Sequence, residues 1–142
     1  MGAIMADIQN LQRQHQEIKE LVAQLATYDR EVIVQEKAFD ISLILGKMAG
    51  KIKLHLLADD RYVYPSLATH QSTEIRAISQ KFADEMGNLA SAFGQFQENY
   101  AGASKIRALA KDFVSDSKII IKAIMERIER EDKSLYPLLH HK

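Results

Sequence analysis

The sequence predicts an all-α protein folded as an antiparallel four-helix bundle with up-down-up-down connectivity. Apolar residues recur every three or four positions along most of the chain, which is the spacing of one helix face. Two prolines and six glycines in 142 residues leave few breaks, as long helices require. A third observation, an internal repeat, relates the first half of the chain to the second.

The apolar stripes predict four helices, over about residues 3–27, 31–68, 73–100 and 104–139, in a single domain spanning residues 1–142. Short polar turns separate them, and short turns place successive helices side by side in opposite directions. We expect Ser72 or Thr73 to cap the third helix and Ser104 the fourth, because short hydroxyl side chains accept hydrogen bonds from free N–H groups at helix starts.

Two segments 72 residues apart carry nearly the same pattern, HLLADDRYVYP at 55–65 and RIEREDKSLYP at 127–137. Asp59 corresponds to the acid Glu131, whereas His55 corresponds to Arg127. An acid, a tyrosine and a proline recur unchanged: Asp60 as Asp132, Tyr64 as Tyr136 and Pro65 as Pro137. The repeat favours a bundle of two helical hairpins, each covering the apolar face of the other.

Composition argues against several classes of function. Lysine and arginine total 19, as do aspartate and glutamate, and the charges are interspersed, so we expect neither nucleic-acid nor membrane binding. The absence of cysteine excludes disulfides and thiolate metal sites. No apolar run approaches the roughly 20 residues of a membrane helix, and the chain start lacks the features of a secretory signal, so we expect a cytoplasmic protein. Phosphate-binding loops, nucleophile elbows and dinucleotide fingerprints are missing, which makes an enzyme less expected than a binding protein.

Five ionisable residues fall on the apolar stripes, where their side chains would point into the bundle. His15 lies on the first helix, His55 and Asp59 on the second, and Arg127 and Glu131 on the fourth. Each pair is four residues apart and therefore shares one helix face. An unpaired buried charge costs on the order of several kcal/mol, so these groups must bind one another, an ion or water.

Taken singly, each residue also has a structural interpretation. His15 could be a hydrogen-bonded core histidine, Arg127 and Glu131 an exposed ion pair, and Asp59 a solvated acid. Convergence of three helices at a similar height favours a common site, because imidazole nitrogens and carboxylate oxygens suit a divalent first-row metal. His140 and His141 near the chain end could bind metal adventitiously.

These residues resemble the hemerythrin-like domain, also called the HHE cation-binding domain. That family carries a histidine on the first helix, His-x-x-x-Glu on the second, a histidine on the third and His-x-x-x-Glu on the fourth. An acid, an aromatic residue and a proline follow both His-x-x-x-Glu motifs. The matching segments are QHQEI around His15, HLLADDRYVYP from His55 and EDKSLYP on the fourth helix, so the resemblance covers essentially the whole chain.

Departures from the family pattern concern the metal site. Met86 stands where the third-helix histidine is expected, Arg127 replaces the fourth-helix histidine, and Asp59 replaces a glutamate. Glu85, beside Met86, is a candidate substitute ligand. In the family's di-iron site the two acids bridge the irons, so the resemblance implies that four residues keep one metal position: His15, His55, Asp59 and Glu131.

The second metal position has lost both nitrogen ligands. The permanent charge and planar donor fork of Arg127 can replace a cation beside carboxylates. Met86 can fill the remaining space with a flexible apolar side chain. We therefore interpret Arg127 and Met86 as the remnant of a degenerate second site.

Two functions are consistent with these residues. The first is a non-haem metal protein that holds one iron, with manganese or zinc as alternatives, in a sensing or redox role. Oxygen carriage is not expected, because in the family it draws two electrons from two irons. The second is a metal-free bundle in which the same residues form a buried polar network, and whose surface serves as a regulatory or protein-interaction module. A protein partner or a homodimer is open in both cases.

Overall fold

The computed structural model describes residues 2–140, with side chains from residue 8 to residue 139. His141, and the side chain of His140, therefore lie outside the described residues, and so does the expectation that they bind metal. The α-helices are α1 (Gly2–Ala26), α2 (Glu31–Glu36), α3 (Ala38–Ala58), α4 (Tyr64–Ala68), α5 (Thr73–Asn99), α6 (Ala103–Ala108) and α7 (Ala110–Arg130). Within 2–140 there is no strand, and the predicted all-α bundle is confirmed.

The second and fourth predicted helices are each built from several helical segments. Each is interrupted near its start, at Lys37 between α2 and α3 and at Leu109 between α6 and α7. Each contains a π-helical turn, at Asp59–Val63 and at Glu131–Leu135. All of these features recur at the 72-residue offset of the sequence repeat, so the two halves share backbone irregularities as well as residues. A 3₁₀ turn, Tyr136–His140, ends the described part of the fourth predicted helix.

The two π turns begin at the acids Asp59 and Glu131 of the repeat. In each, the backbone N–H five residues on bonds to the carbonyl of that acid, from Tyr64 to Asp59 and from Tyr136 to Glu131. Single π turns inside α-helices are uncommon and frequently occur at functional sites. The wider turn brings the side chain at position i+5 toward the face of residue i, which an α-helix would not do.

One of the two predicted helix caps is present. The Ser72 hydroxyl accepts a hydrogen bond from the Ile75 N–H at 3.3 Å and caps α5. The expectation for Ser104 is wrong, because α6 begins at Ala103 with Gly102 as its N-cap. Gly102 has φ of 93°, a left-handed conformation that glycine adopts without steric cost.

The helices pack so that α1 contacts α3 and α7, while α5 contacts α4 and α7. Buried apolar side chains form one large and one smaller cluster. On three helices a candidate site residue lies between a member of each cluster: His15 between Leu11 and Ile18, His55 between Val63 and Ile52, and Glu131 between Leu135 and Ile128. The polar residues thus form a layer across the core.

None of the helices between residues 2 and 140 is long and apolar enough to cross a lipid bilayer.

Candidate metal centre

Three nitrogen and oxygen atoms from three helices meet inside the polar layer. His15 Nε2 lies 3.0 Å from His55 Nε2, and Glu131 Oε1 lies 2.8 Å from the first and 2.9 Å from the second. All three side chains are buried. Their mutual spacing is suitable for holding a metal ion in common.

The outer nitrogens of both imidazole rings are committed to acceptors. His15 Nδ1 donates to Asp132 Oδ1 at 2.8 Å, and His55 Nδ1 donates to Gln14 Oε1 at 2.9 Å. Because these oxygens only accept, the Nδ1 atoms carry protons, so a ring without a second proton turns the lone pair of Nε2 inward. Two such lone pairs would repel the Glu131 carboxylate oxygen that they face, and this repulsion is relieved either by protons on the Nε2 atoms or by a cation. Metal-bound histidines are held by this kind of outer hydrogen bond.

Asp59 lies at the edge of this group and is only partly satisfied. Its Oδ1 accepts from the Tyr136 hydroxyl at 3.2 Å, while Oδ2 lies 3.4 Å from His55 Nε2 and has no hydrogen-bond partner among the described residues. Burial, and then the charge of Glu131, raise the pKa of Asp59 to about 8. Without a nearby ion, Asp59 therefore keeps its proton at neutral pH.

Glu131 connects the two halves of the site through its two oxygens. Oε1 faces His15 and His55, whereas Oε2 accepts from Arg127 Nε at 3.0 Å. Burial opposes ionisation of Glu131. Hydrogen bonds from the His15 and His55 rings and the charge of Arg127 outweigh this effect and hold the pKa of Glu131 well below its ordinary value. Glu131 is the anion of the pair, and Asp59 is the acid.

Arg127 stands where the second metal position is expected. Besides Glu131, its guanidinium donates to the Tyr64 hydroxyl at 2.9 Å and stacks 4.7 Å from the centre of the Phe82 ring. Its Nη1 has no hydrogen-bond partner among the described residues and lies 3.9 Å from Glu85 Oε2. No ion pair joins Arg127 to Asp59 within the described part of the chain.

Met86 is buried beside Arg127 and borders a small cavity together with His55 and Glu131. The cavity volume is about 20 Å³, room for roughly one water molecule. The Met86 thioether and the guanidinium therefore fill most of the space at this position.

Glu85 is placed away from the His15, His55 and Glu131 atoms. Its Oε2 forms an ion pair with Arg130 Nη1, and its side chain is about one-third exposed. These arginine contacts hold the pKa of Glu85 below its usual value, the hydrogen bond from Arg130 being the largest cause.

Sequence reasoning missed three residues that complete the site. Asp132 and Gln14 hold the two rings, and the Tyr136 hydroxyl enters the cluster itself, 3.0 Å from Glu131 Oε1 and 3.1 Å from His55 Nε2. Burial and the charges of Glu131 and Asp59 raise the pKa of Tyr136, so the phenol stays protonated in the absence of a cation. The repeated acid and tyrosine were visible in the sequence, but their inward orientation depends on the π turns.

The sequence model of the Hemerythrin HHE cation binding domain matches residues 6–139, which is most of the chain. No curated protein and no solved structure gives a significant match.

The raised pKa of Asp59 predicts how the stability of metal-free protein depends on pH. Asp59 holds its proton up to about pH 8 in the folded state, but only up to about pH 4 when unfolded. The contribution of Asp59 to the free energy of unfolding is therefore fully present below about pH 4 and is lost as the pH rises toward 8. Over this range the free energy of unfolding falls by at most about 1.4 kcal/mol per pH unit. In chelator-treated protein, Asp59→Asn should remove this decrease, as measured by urea unfolding between pH 5 and pH 8.

Asp60→Asn is the matched control, because the neighbouring Asp60 is exposed. It should leave the pH profile of the free energy of unfolding unchanged. Identical slopes for the wild type and Asp59→Asn would show that Asp59 is not a buried, protonated acid.

Proposed function

We propose that this chain, which belongs to the hemerythrin HHE cation-binding family, binds a single divalent metal ion through His15, His55 and Glu131. Asp59 lies at the edge of the site and completes the carboxylate set. The observation that carries the proposal is the inward orientation of two imidazole Nε2 atoms toward one carboxylate oxygen. Both outer nitrogens are already bound to acceptors, so a cation at this point satisfies three buried atoms at once.

The separations between the three atoms suit a first-row ion. Ligand atoms at about 2.1 Å from a metal lie about 3.0 Å apart in adjacent octahedral positions and about 3.4 Å apart in tetrahedral ones. The distances of 2.8–3.0 Å among His15 Nε2, His55 Nε2 and Glu131 Oε1 match the first arrangement directly, and an outward shift of about 0.3 Å per atom gives the second. Two imidazoles with carboxylates are typical of non-haem iron, which we propose as the ion, with manganese or zinc as alternatives.

The occupancy of one ion per chain follows from the second position. Arg127 already supplies a positive charge to Glu131 Oε2, and Met86 takes up the volume where a nitrogen ligand would be needed. A second divalent ion would lie beside a fixed guanidinium with no imidazole to hold it. The repulsion and the missing ligands both oppose its binding.

A single iron or manganese supplies one-electron chemistry, which supports a redox or sensing role over two-electron oxygen carriage. The chain's own residues hold the ion in a buried site, where His15 and His55 are oriented by Asp132 and Gln14. Occupancy would displace protons from the buried acids and thereby change the charge of the core. Such coupling between ion, protons and packing is what a sensor requires.

A metal-free bundle is the second candidate, and the Arg127 contacts favour it. One guanidinium neutralises Glu131, and a protonated Asp59 adds no charge, so the layer is close to electrical balance without an ion. The network would then fix helix register, and function would lie on the surface as a regulatory or protein-binding module.

Elemental analysis after anaerobic reconstitution with ferrous iron or manganese distinguishes the two candidates. In a chain truncated after Leu139, which lacks the terminal histidines, we expect one ion per chain and a higher melting temperature in the presence of the metal. His15→Ala and His55→Ala should abolish this uptake, because each removes a nitrogen ligand. His70→Ala, outside the polar layer, should retain it. Absence of bound metal from the reconstituted wild type would establish the metal-free alternative.

The origin of the single site is tested by restoring the missing nitrogen ligands. The double variant Arg127→His with Met86→His should bind two ions per chain, since it removes the fixed charge and adds two imidazoles. Met86→His combined with Arg130→His, which leaves Arg127 in place, is the matched control and should bind one. A double variant that still binds one ion would contradict the idea that Arg127 replaces a cation.

A further inference from the structure

We propose that Tyr136 is a further metal ligand, so that the ion is held by two imidazoles, one carboxylate and one phenolate. The inference rests on the proposed function and deepens it, because it specifies the chemistry of the donor set. Its support is the position of the Tyr136 oxygen, the number of its contacts and the behaviour of its repeat partner, Tyr64.

The Tyr136 oxygen lies as close to the other donor atoms as they lie to one another. It is 3.0 Å from Glu131 Oε1, 3.1 Å from His55 Nε2 and 3.3 Å from His15 Nε2. With the three distances of 2.8–3.0 Å among those atoms, the four donors form a nearly regular tetrahedron. An outward movement of each donor atom by about 0.2 Å would give the separations of a four-coordinate ion with bonds near 2.0 Å.

Hydrogen bonding alone does not account for this position. A phenol has one proton to donate, yet the Tyr136 oxygen also lies 3.2 Å from Asp59 Oδ1, which makes four polar neighbours. When only the outer nitrogens are protonated, His15 Nε2 and His55 Nε2 present lone pairs, as does the Glu131 carboxylate. One proton cannot satisfy these acceptors together, whereas a cation among them can bind all of them and the oxygen of Tyr136.

The backbone and the packing hold the tyrosine in this place. The π turn Glu131–Leu135 brings residue 136 to the face of Glu131, and the Tyr136 N–H bonds to the Glu131 carbonyl. The ring is almost completely buried and stacks on His15 with their centroids 5.3 Å apart. The oxygen is therefore prepositioned with little conformational entropy left to lose when it binds an ion.

The other half of the repeat supplies an independent comparison. Tyr64 follows Asp59 by five residues across the equivalent π turn, and its hydroxyl accepts from Arg127 Nη2 at 2.9 Å. In that half, the tyrosine oxygen contacts the positive group at the second position. By the same arrangement, Tyr136 should contact the positive group at the first position, which is the metal ion.

On binding, the Tyr136 O–H bond breaks, the proton passes to solvent, and the oxygen lone pair binds the metal. The step requires no oxidant or reductant. It predicts that Tyr136→Phe releases about one proton fewer per ion than the wild type when redox-silent zinc is titrated into weakly buffered, metal-free protein. Tyr64→Phe, the matched control, should release as many protons as the wild type.

A spectroscopic test uses ferric iron, obtained by loading the full-length protein with ferrous iron anaerobically and then admitting air. A phenolate ligand should give a visible charge-transfer absorption with resonance-enhanced phenolate Raman bands. These signals should be present in the wild type and in Tyr64→Phe, and absent in Tyr136→Phe. The same variant should also bind zinc about 10–100-fold more weakly.

The outcomes separate this inference from the proposed function. Iron uptake by the wild type without the absorption, or an absorption that survives in Tyr136→Phe, would overturn the role of Tyr136 and leave the single metal site intact. Failure of the wild type to bind any metal would overturn both. If Tyr136→Phe does not fold, the wild type and Tyr64→Phe still decide the matter, since a phenolate signal present in both supports Tyr136 and its absence from the wild type refutes it.

Discussion

The structure depends on how negative charge is balanced in a buried layer of polar side chains. Glu131 is ionised in the middle of the bundle, Asp59 lies beside it, and the Nε2 atoms of two imidazoles point at the same place. Arg127 provides one permanent positive charge to this layer. Burying charge costs on the order of several kcal/mol per group unless it is compensated. The rest of the compensating positive charge must therefore come from protons or from a bound ion. Both candidate functions are solutions to this single electrostatic problem.

The internal repeat places two similar positions at the centre of the bundle, and they solve it differently. Helix breaks, π turns and inward tyrosines recur at a constant offset, so each half presents similar backbone geometry to the centre. At one position His55 of the first half and Tyr136 of the second surround the proposed ion, while at the other Arg127 of the second half and Tyr64 of the first form a direct hydrogen bond. In the proposed account, replacing an imidazole by a guanidinium converts a position that needs a cation into one that carries its own.

Much of the fold could be predicted from the sequence because the relevant signals are local. Apolar stripes indicated the helices, and polar residues on those stripes indicated the layer, since burial follows from helix periodicity. The irregular backbone was not predictable in this way. The breaks at Lys37 and Leu109 carry neither proline nor glycine, and the π turns depend on packing around the site.

The contribution of Tyr136 was missed for the same reason. At α-helical spacing, a residue five positions after Glu131 points away from it, and only the wider turn brings the two together. Gln14 and Asp132 form hydrogen bonds to histidines on other helices, so no spacing along the chain reveals their partners. For Ser104 the sequence predicted a feature that is absent. Serine is a favourable capping residue, but α6 begins earlier, with Gly102 at the N-cap and in a positive-φ conformation.

The central claim is that one ion lies among His15, His55 and Glu131 while Arg127 occupies the position of the other. A crystal structure of iron-loaded protein, with anomalous scattering recorded at the iron absorption edge, tests this most directly. We predict one strong peak about 2.1 Å from both Nε2 atoms and from Glu131 Oε1, and no peak beside the guanidinium. Two peaks within the bundle, or a bundle without any peak, would contradict the account.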